Sequence, residues 1–196
     1  MSGPAAPTVE APRRVLTERQ AEIVQRLTDA AVVEIRANGY EGLTVRNVAA
    51  RAGVAAATAY TYFGSKDHLI AETFWRRIRA LPDPRIDRRK SPAVRVKAAL
   101  SDLTRLLAGQ PELAAASTSA MLATDPDVKH IRDRVGAHIR RRLEDALGDD
   151  DGDAVLTALE LAVAGAMIRA GMGHLAYAEL PGRIAGVAGL LLKERR

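Results

Sequence analysis

Residues 44–66, TVRNVAARAGVAAATAYTYFGSK, gather three cations (Arg46, Arg51 and Lys66), hydroxyls at Thr44, Thr58, Tyr60 and Tyr62, and no acidic residue. This set suits one kind of chemistry. Ammonium and guanidinium groups neutralise phosphates, hydroxyls donate to phosphate oxygens, and a guanidinium can fork onto guanine O6 and N7. The same stretch predicts the elements that must hold those groups. Thr44 is placed to N-cap a helix whose apolar stripe is Val45, Val48, Ala49 and Ala52. Gly53 supplies a turn, and a second helix runs from about Ala55 to Phe63. Gly64 is expected to close that helix in the left-handed conformation, and Ser65 to cap the next one. Two short helices joined by a glycine turn make a helix-turn-helix, whose second helix enters the DNA major groove.

The stretch resembles the N-terminal signature of the TetR family of bacterial transcriptional regulators. The resemblance runs over roughly residues 17–80. It begins with Leu27, Ala30, Ala31 and Ile35, then Gly39-Tyr40 and Leu43-Thr44. It continues through Val48-Ala49, Ala52-Gly53-Val54, Thr58, Tyr60 and Tyr62-Phe63, and closes with Ser65-Lys66 and Leu69. The resemblance implies an all-α chain of about nine helices. An N-terminal three-helix DNA-binding domain is followed by a C-terminal helical domain that binds a ligand and dimerises. It also implies a DNA interface built from Thr44, Arg46, Ala55, Ala56, Ala57, Thr58, Tyr60, Tyr62 and Lys66, with Tyr40, Val48, Val54 and Phe63 in the small core.

Three alanines open the reading helix where the family usually offers a polar side chain. A methyl group touches a thymine methyl but neither donates nor accepts a hydrogen bond, so direct readout is expected to fall on Arg46, with DNA shape contributing the rest. Ala59 is smaller than the aliphatic residue usual at its position, which requires closer helix packing or a substitute side chain. Tyr60 and Tyr62 have an alternative role, packing between helices with the hydroxyl at the surface.

The chain of 196 residues is 47% hydrophobic and 27% charged, ordinary for a folded protein, with net charge +5 and pI ≈ 9.9. The excess is spread along the chain, with eleven cations against eight anions in residues 1–80 and eighteen against sixteen in 81–196. Only the motif is locally one-signed. Cysteine is absent, so disulfides, thiolate metal sites and cysteine nucleophiles are excluded together. No cofactor or metal is expected. His130 and His138 lie about 12 Å apart along a helix at 1.5 Å rise, too far for one tetrahedral ion. The sequence also lacks Gly-x-Ser-x-Gly, His-Glu-x-x-His and a phosphate-cradling glycine loop, which argues against an enzyme. Uninterrupted apolar runs such as Ile184 to Leu192 are shorter than the ~18 residues of a membrane span, so no membrane partner is expected; a cytoplasmic setting is expected for a regulator of the kind the resemblance implies.

The expected organisation is a flexible tail (1–14), a DNA-binding domain (15–64), a connecting helix (65–81) and an effector-binding and dimerisation domain (82–196). Thr17 with Gln20 forms a capping-box pattern for a first helix ending at Gly39. After Pro82 to Pro92, helices are expected over 93–109, 111–123, 125–147, 153 to about 178, and 181–195, punctuated by Gly109-Gln-Pro, Thr124-Asp-Pro, Asp149-Asp-Asp and Leu180-Pro-Gly. Arg13-Arg14 is either a minor-groove arm or a solvated tail, and Arg140-Arg141-Arg142 is expected to be a solvated face.

A ligand cavity in the second domain is implied by the resemblance. Its candidate lining is Trp75, Met121, Arg134, His138, Met167, His174 and Tyr177, although bulky apolar side chains in helical stripes also serve as plain core. The last two helices combine long apolar residues (Leu156, Leu159, Val163, Ile168, Ile184, Val187, Leu190, Leu191) with small ones (Ala164, Gly165, Gly171, Ala185, Gly186, Gly189) and are the expected homodimer face, the alternative being that they only close each subunit's own core. The sum is a homodimeric, ligand-responsive regulator, most simply a repressor, bound to a palindromic double-stranded operator and released by a small apolar effector. An architectural DNA-binding protein without an effector is the alternative.

Overall fold

The computed structural model describes residues 17–148 and 152–193. Among these residues the chain forms nine α-helices and no strand: α1 Glu18–Gly42, α2 Val45–Arg51, α3 Ala56–Tyr62, α4 Lys66–Arg79, α5 Pro92–Gly109, α6 Pro111–Met121, α7 Pro126–Leu147, α8 Gly152–Gly171 and α9 Leu180–Lys193. A single 3-10 turn, Tyr177–Glu179, precedes α9. Arg13-Arg14 and the acidic run 149–151 lie outside the described residues.

Side-chain caps set the N-termini in the head, the unit formed by α1, α2, α3 and the start of α4. Thr17 and Gln20 form the reciprocal capping box, the Thr17 amide donating to Gln20 Oε1 at 2.9 Å. Thr44 Oγ1 accepts from the Asn47 amide at 3.1 Å, and Ser65 Oγ from the His68 amide at 3.0 Å. Gly39, at φ 67 and ψ 179, breaks α1 after Asn38, and one further turn reaches Gly42. Gly53 turns the chain at φ +63. Arg26 reaches across to that turn, donating to the carbonyls of Ala52 at 2.5 Å and Gly53 at 3.0 Å. Gly64 does not do what its position predicts. It is exposed, its φ is not positive, and an added Cβ would meet nothing within 4 Å. The chain leaves α3 instead through Phe63 in extended conformation, φ −133 and ψ 101, because seating the Phe63 ring in the core sets the exit direction.

Two apolar cores result. The head core joins Leu27, Ala31 and Ile35 of α1 with Val45, Val48 and Ala49 of α2, Ala59 of α3, and Phe63. Ala59 is fully buried, so the space its small side chain leaves is filled within the head core. Leu69 and Ile70 of α4 belong to this core, and so do Leu113, Ala116 and Ala120 of α6. The body core is built from Phe74, Trp75 and Ile78 of α4, Leu100, Leu103 and Leu107 of α5, and buried residues of α7, α8 and α9. Apolar packing therefore crosses the boundary expected at residue 82. The 82–92 segment is held too, with Arg142 donating to the Pro82 carbonyl at 2.6 Å and Ile86 packed on the body core.

Helix α8 is shorter than predicted. It ends at Gly171 rather than near Ala178, because Gly173 at φ 77 redirects the chain and the His174 amide donates to the Arg169 carbonyl at 2.9 Å. By length and composition α8 passes as a membrane span, which uninterrupted apolar runs did not suggest. In this fold it packs against α6, α7 and α9.

Gly53 carries a local prediction. A Cβ there would occupy a left-handed backbone and sit 3.1 Å from Arg26 Nη2. Gly53→Ala is expected to destabilise the head by about 1–2 kcal/mol, measured by denaturant unfolding; an unchanged midpoint would show that the turn relaxes without strain.

Candidate nucleic-acid interface and apolar cavity

On α3 and its cap, Ala55, Ala57 and Tyr60 face outward, Tyr60 being 51% exposed. Ala56 and Thr58 are half-buried, and Tyr62 packs partly against the head core. Thr44 is exposed at the start of α2, its oxygen accepting from Asn47 while its proton stays free to be donated outward. Arg46, two residues on, is exposed and has no side-chain partner among the described residues.

The other two cations of the motif are engaged within the head. Arg51 Nε donates to Glu34 Oε2 at 2.7 Å, and Glu34, only 3% exposed, also accepts from Asn38 at 2.6 Å. The hydrogen bond from Arg51 holds the Glu34 carboxyl below the ordinary carboxylate range against the opposing effect of burial. Lys66 Nζ donates to the Tyr40 carbonyl at 3.2 Å, lies 4.2 Å from the Tyr40 ring centroid, and is 3.7 Å from Glu41. The Tyr40 hydroxyl donates to Asp67, and burial together with that carboxylate pushes the phenol pKa up. Of the three cations gathered in the motif, Arg46 alone has no partner among the described residues, because α1 brings its own carboxylates to the motif. Asn47, exposed beside Arg46, is a polar group on the same surface that the sequence reading did not single out.

Behind the head lies a cavity of about 260 Å³ walled by α4, α5, α6, α7 and α8. Phe74, Ile78, Leu103, Met121, Val135, Ile139, Val163 and Met167 give it an apolar lining. The hydroxyls on the α6 wall are already used: Ser117 donates to the Leu113 carbonyl at 2.6 Å and Thr118 to that of Ala114 at 3.1 Å. Two charged residues reach the wall, Arg132 and Glu160. Arg140 Nη1 donates to Glu160 at 2.9 Å while its other nitrogens hold Asp153 and Glu144, and these carboxylates, Asp153 foremost, raise the guanidinium's pKa.

Of the seven residues expected to line a cavity, Met121 and Met167 do so. Trp75, Arg134 and His138 do not, for a reason of helical phase. Residues 132, 135, 136 and 139 face the cavity from α7, whereas Arg134, His138 and Arg142 occupy another stripe of that helix. There the Arg134 guanidinium lies 4.7 Å over the Trp75 ring, which meets His138 edge-on at 5.8 Å. Arg142 closes the stack. It is 3% exposed and donates to His138 Nε2 at 3.1 Å, to the Ala99 carbonyl at 3.3 Å and to Pro82. In the 140–142 run Arg140 is therefore an ion-pair centre and Arg142 a buried clamp, and only Arg141 stays exposed as a solvated face. His174 is exposed after α8, and Tyr177 is buried with its hydroxyl beside Thr118, short of a normal hydrogen bond; neither lines the cavity.

Helices α4 and α6 contribute to both the head core and the cavity wall. Residues 69, 70, 113, 116 and 120 sit in the head core, and Phe74, Ile78, Ser117, Thr118 and Met121 on the same two helices form cavity wall. A polar bolt adds to this contact. Ser65 donates to Asp125 at 2.6 Å, lowering the pKa of that carboxyl, and His68 Nδ1 lies 3.5 Å from Asp127. The N-terminus of α4 is thereby tied to that of α7.

Comparison with known proteins places this geometry among relatives. The model for bacterial regulatory proteins of the tetR family matches residues 27–73. An uncharacterized HTH-type transcriptional regulator of Mycobacterium tuberculosis is 43% identical over 176 residues, 89% of this chain and 82% of the relative. The HTH-type transcriptional repressor KstR of Rhodococcus jostii is 34% identical over 138 residues, 67% of this chain and 63% of its own. Among solved structures, a TetR transcriptional regulator from Rhodococcus sp. RHA1 superposes with a TM-score of 0.72 at 27% identity, covering 90% of this chain and 98% of that one. FadR from Bacillus subtilis, solved in complex with stearoyl-CoA, shares the fold at TM-score 0.59 and 18% identity over 85% and 96% of the two chains.

The buried clamp carries a pH prediction. Burial and then the Arg142 guanidinium hold the His138 pKa below its ordinary value, with Arg141 adding to this and Asp83 opposing it. An unfolded histidine takes up its proton near pH ~6.5. The clamp's contribution is then complete above that pH and is lost as pH falls through the lower folded value. Wild type is expected to lose more stability between pH 7.5 and 5.5 than His138→Gln in urea melts; parallel losses would show that His138 does not titrate in this window.

Proposed function

This chain belongs to the tetR family of bacterial regulatory proteins and is a transcriptional regulator rather than an enzyme, and on that premise we propose that it is a homodimeric repressor released from a palindromic operator by a small apolar effector. The proposed setting is the bacterial cytoplasm, where operator DNA lies. The observation that carries ligand responsiveness is the shared wall. Ligand in a cavity bounded by α4 and α6 must press on helices that also hold up the head. A purely architectural DNA-binding protein needs no such cavity. The repressor KstR and the acyl-CoA complex of FadR are consistent with this assignment.

On DNA, α3 lies in the major groove with Ala55, Ala56 and Ala57 against base edges, and Arg46 supplies the polar readout. Thr44, Thr58, Tyr60 and Tyr62 grip the backbone. Lys66 joins them by exchanging Glu41 for a phosphate. Glu41's side chain is 93% exposed, so that pair contributes little and yields readily. Arg46→Ala is expected to relax preference at one base pair per half-site at a cost of roughly 1–3 kcal/mol, read by anisotropy titration over operator variants. Unchanged selectivity would move readout to another residue.

The proposed dimer face is narrower than the sequence suggested. Leu156, Leu159, Val163 and Ile184 are core residues, Gly171 is pressed onto Thr118, where a Cβ would come within 2.7 Å, and Gly189 faces Ala93 of α5. What remains outward is Leu161 (70% exposed), Gly165, Ile168 and Met172 on and just after α8, with Gly186 and Leu190 on α9. These fall at helical spacing, and an added Cβ at Gly165 or Gly186 would meet nothing within 4 Å, so a second copy can approach closely there. A two-fold interface on this face would set two heads about one DNA turn apart, ~34–36 Å. Leu161→Glu is expected to give a folded monomer by light scattering with greatly weakened operator binding. A wild-type monomer at micromolar concentration would refute both the interface and the palindrome.

A further inference from the structure

The cavity has a distinct mouth. Arg132 and Gly136 are one helical turn apart on the same stripe of α7, both exposed and both on the cavity wall, and exposed Leu122 after α6 and Ala164 and Ile168 of α8 complete its rim. Gly136 sits inside a helix with no positive φ, and a Cβ there would meet nothing within 4 Å. Neither backbone nor packing requires glycine at this position, and its effect is an open gap beside Arg132. Within the cavity, the hydroxyls of Ser117 and Thr118 donate to carbonyls of their own helix, leaving the interior without a free donor. The charges on the wall differ in kind. Glu160 is held by Arg140, whereas Arg132 donates only to the Ala123 carbonyl, at 2.7 Å, and makes no ion pair among the described residues. Its neighbour Asp133 is engaged by Lys129 at 2.8 Å. The guanidinium keeps N–H groups free at the solvent end of an apolar slot.

Resting on the effector-binding proposal above, we infer that the effector is an amphiphile whose hydrocarbon chain enters past Gly136 and whose anionic head, a carboxylate or phosphate, stays at the mouth on Arg132. Charge fixes the end at which the molecule stops, and apolar burial fixes the chain. A cationic head is disfavoured by Arg132, and a neutral head gains only the chain's burial.

Decanoate, 1-decanol and decylamine share one chain and differ in head, so they separate these terms when titrated calorimetrically against the full-length protein below micelle concentrations. Decanoate is expected to bind about ten-fold more tightly than 1-decanol, and decylamine most weakly. Arg132→Gln should reduce decanoate affinity about ten-fold and leave 1-decanol within two-fold, Arg132→Lys should restore part of the loss, and Gly136→Leu should weaken both ligands. Decanoate binding no better than 1-decanol, or unaffected by Arg132→Gln, would overturn the inference. So would the absence of binding by all three. Operator binding by the same preparations, followed by anisotropy, keeps the outcomes apart: if DNA is still bound specifically, the regulator assignment stands and the amphiphile falls; if it is not, the assignment itself is at fault.

Discussion

The whole arrangement depends on two helices that are each buried twice. α4 places Leu69 and Ile70 in the head core and Phe74, Trp75 and Ile78 in the body core, within one straight helix of 14 residues. α6 puts Leu113, Ala116 and Ala120 against the head and turns Ser117, Thr118 and Met121 to the cavity. Burying a Leu or Ile side chain contributes roughly 1.5–3 kcal/mol, so the head cannot swing free of α6 without exposing several such groups. A helix is also stiff along its axis. A ligand that displaces one wall of the cavity must therefore either strain these contacts or carry the head with it. The free energy available to such coupling is typically ~1–3 kcal/mol and acts reciprocally, with DNA weakening the ligand as much as ligand weakens DNA.

Electrostatics are organised to keep the head rigid more than to make it positive. Arg26, Arg51 and Lys66 are basic residues near the reading surface, yet Arg26 holds the turn carbonyls, Arg51 holds a buried carboxylate and Lys66 holds Tyr40. A fixed scaffold sets α3 at a defined angle, and that angle decides whether a short helix with alanine at its opening can reach the groove floor. Small side chains favour the approach. In the proposed complex no long side chain would stand between helix and bases at Ala55 and Ala57, so the backbone could come closer, and the selectivity forgone there would come from Arg46 and from DNA shape.

Local chemistry was legible in the sequence and tertiary pairing was not. Thr17, Thr44 and Ser65 as caps, and Gly53 as the turn, depend on neighbours within a few residues and are found as read. Gly64 was misread because helix exit there follows from where the Phe63 ring is buried, a tertiary fact. The same limit explains the engaged cations, since Glu34 and Arg51 meet only once α1 crosses α2. For the cavity, residue type pointed to Trp75, Arg134 and His138 because they are bulky or polar. Helical phase decides otherwise: the stripe of residues 132, 135, 136 and 139 was present in the sequence, but nothing in it says which face of α7 meets empty space. The overshoot of α8 has a simpler origin, because a glycine such as Gly173 ends a helix only where its φ turns positive, which residue type alone does not say.

Helix α8 carries two apolar faces, and its neighbours in this chain cover one of them. A helix packed on one side only shows a single apolar stripe, whereas α8 is apolar on both sides, one turned to the core through Val155, Leu156, Leu159 and Val163 and one outward through Leu161, Ile168 and Met172. Left uncovered, such a face favours association. Ile168 and Ala164 lie on that outward side and on the cavity wall at once. A partner seated on α8 would therefore border the ligand as well as the helix, so that occupancy of the cavity and strength of the dimer become linked quantities. In such an arrangement the spacing of the two heads is set where the ligand sits.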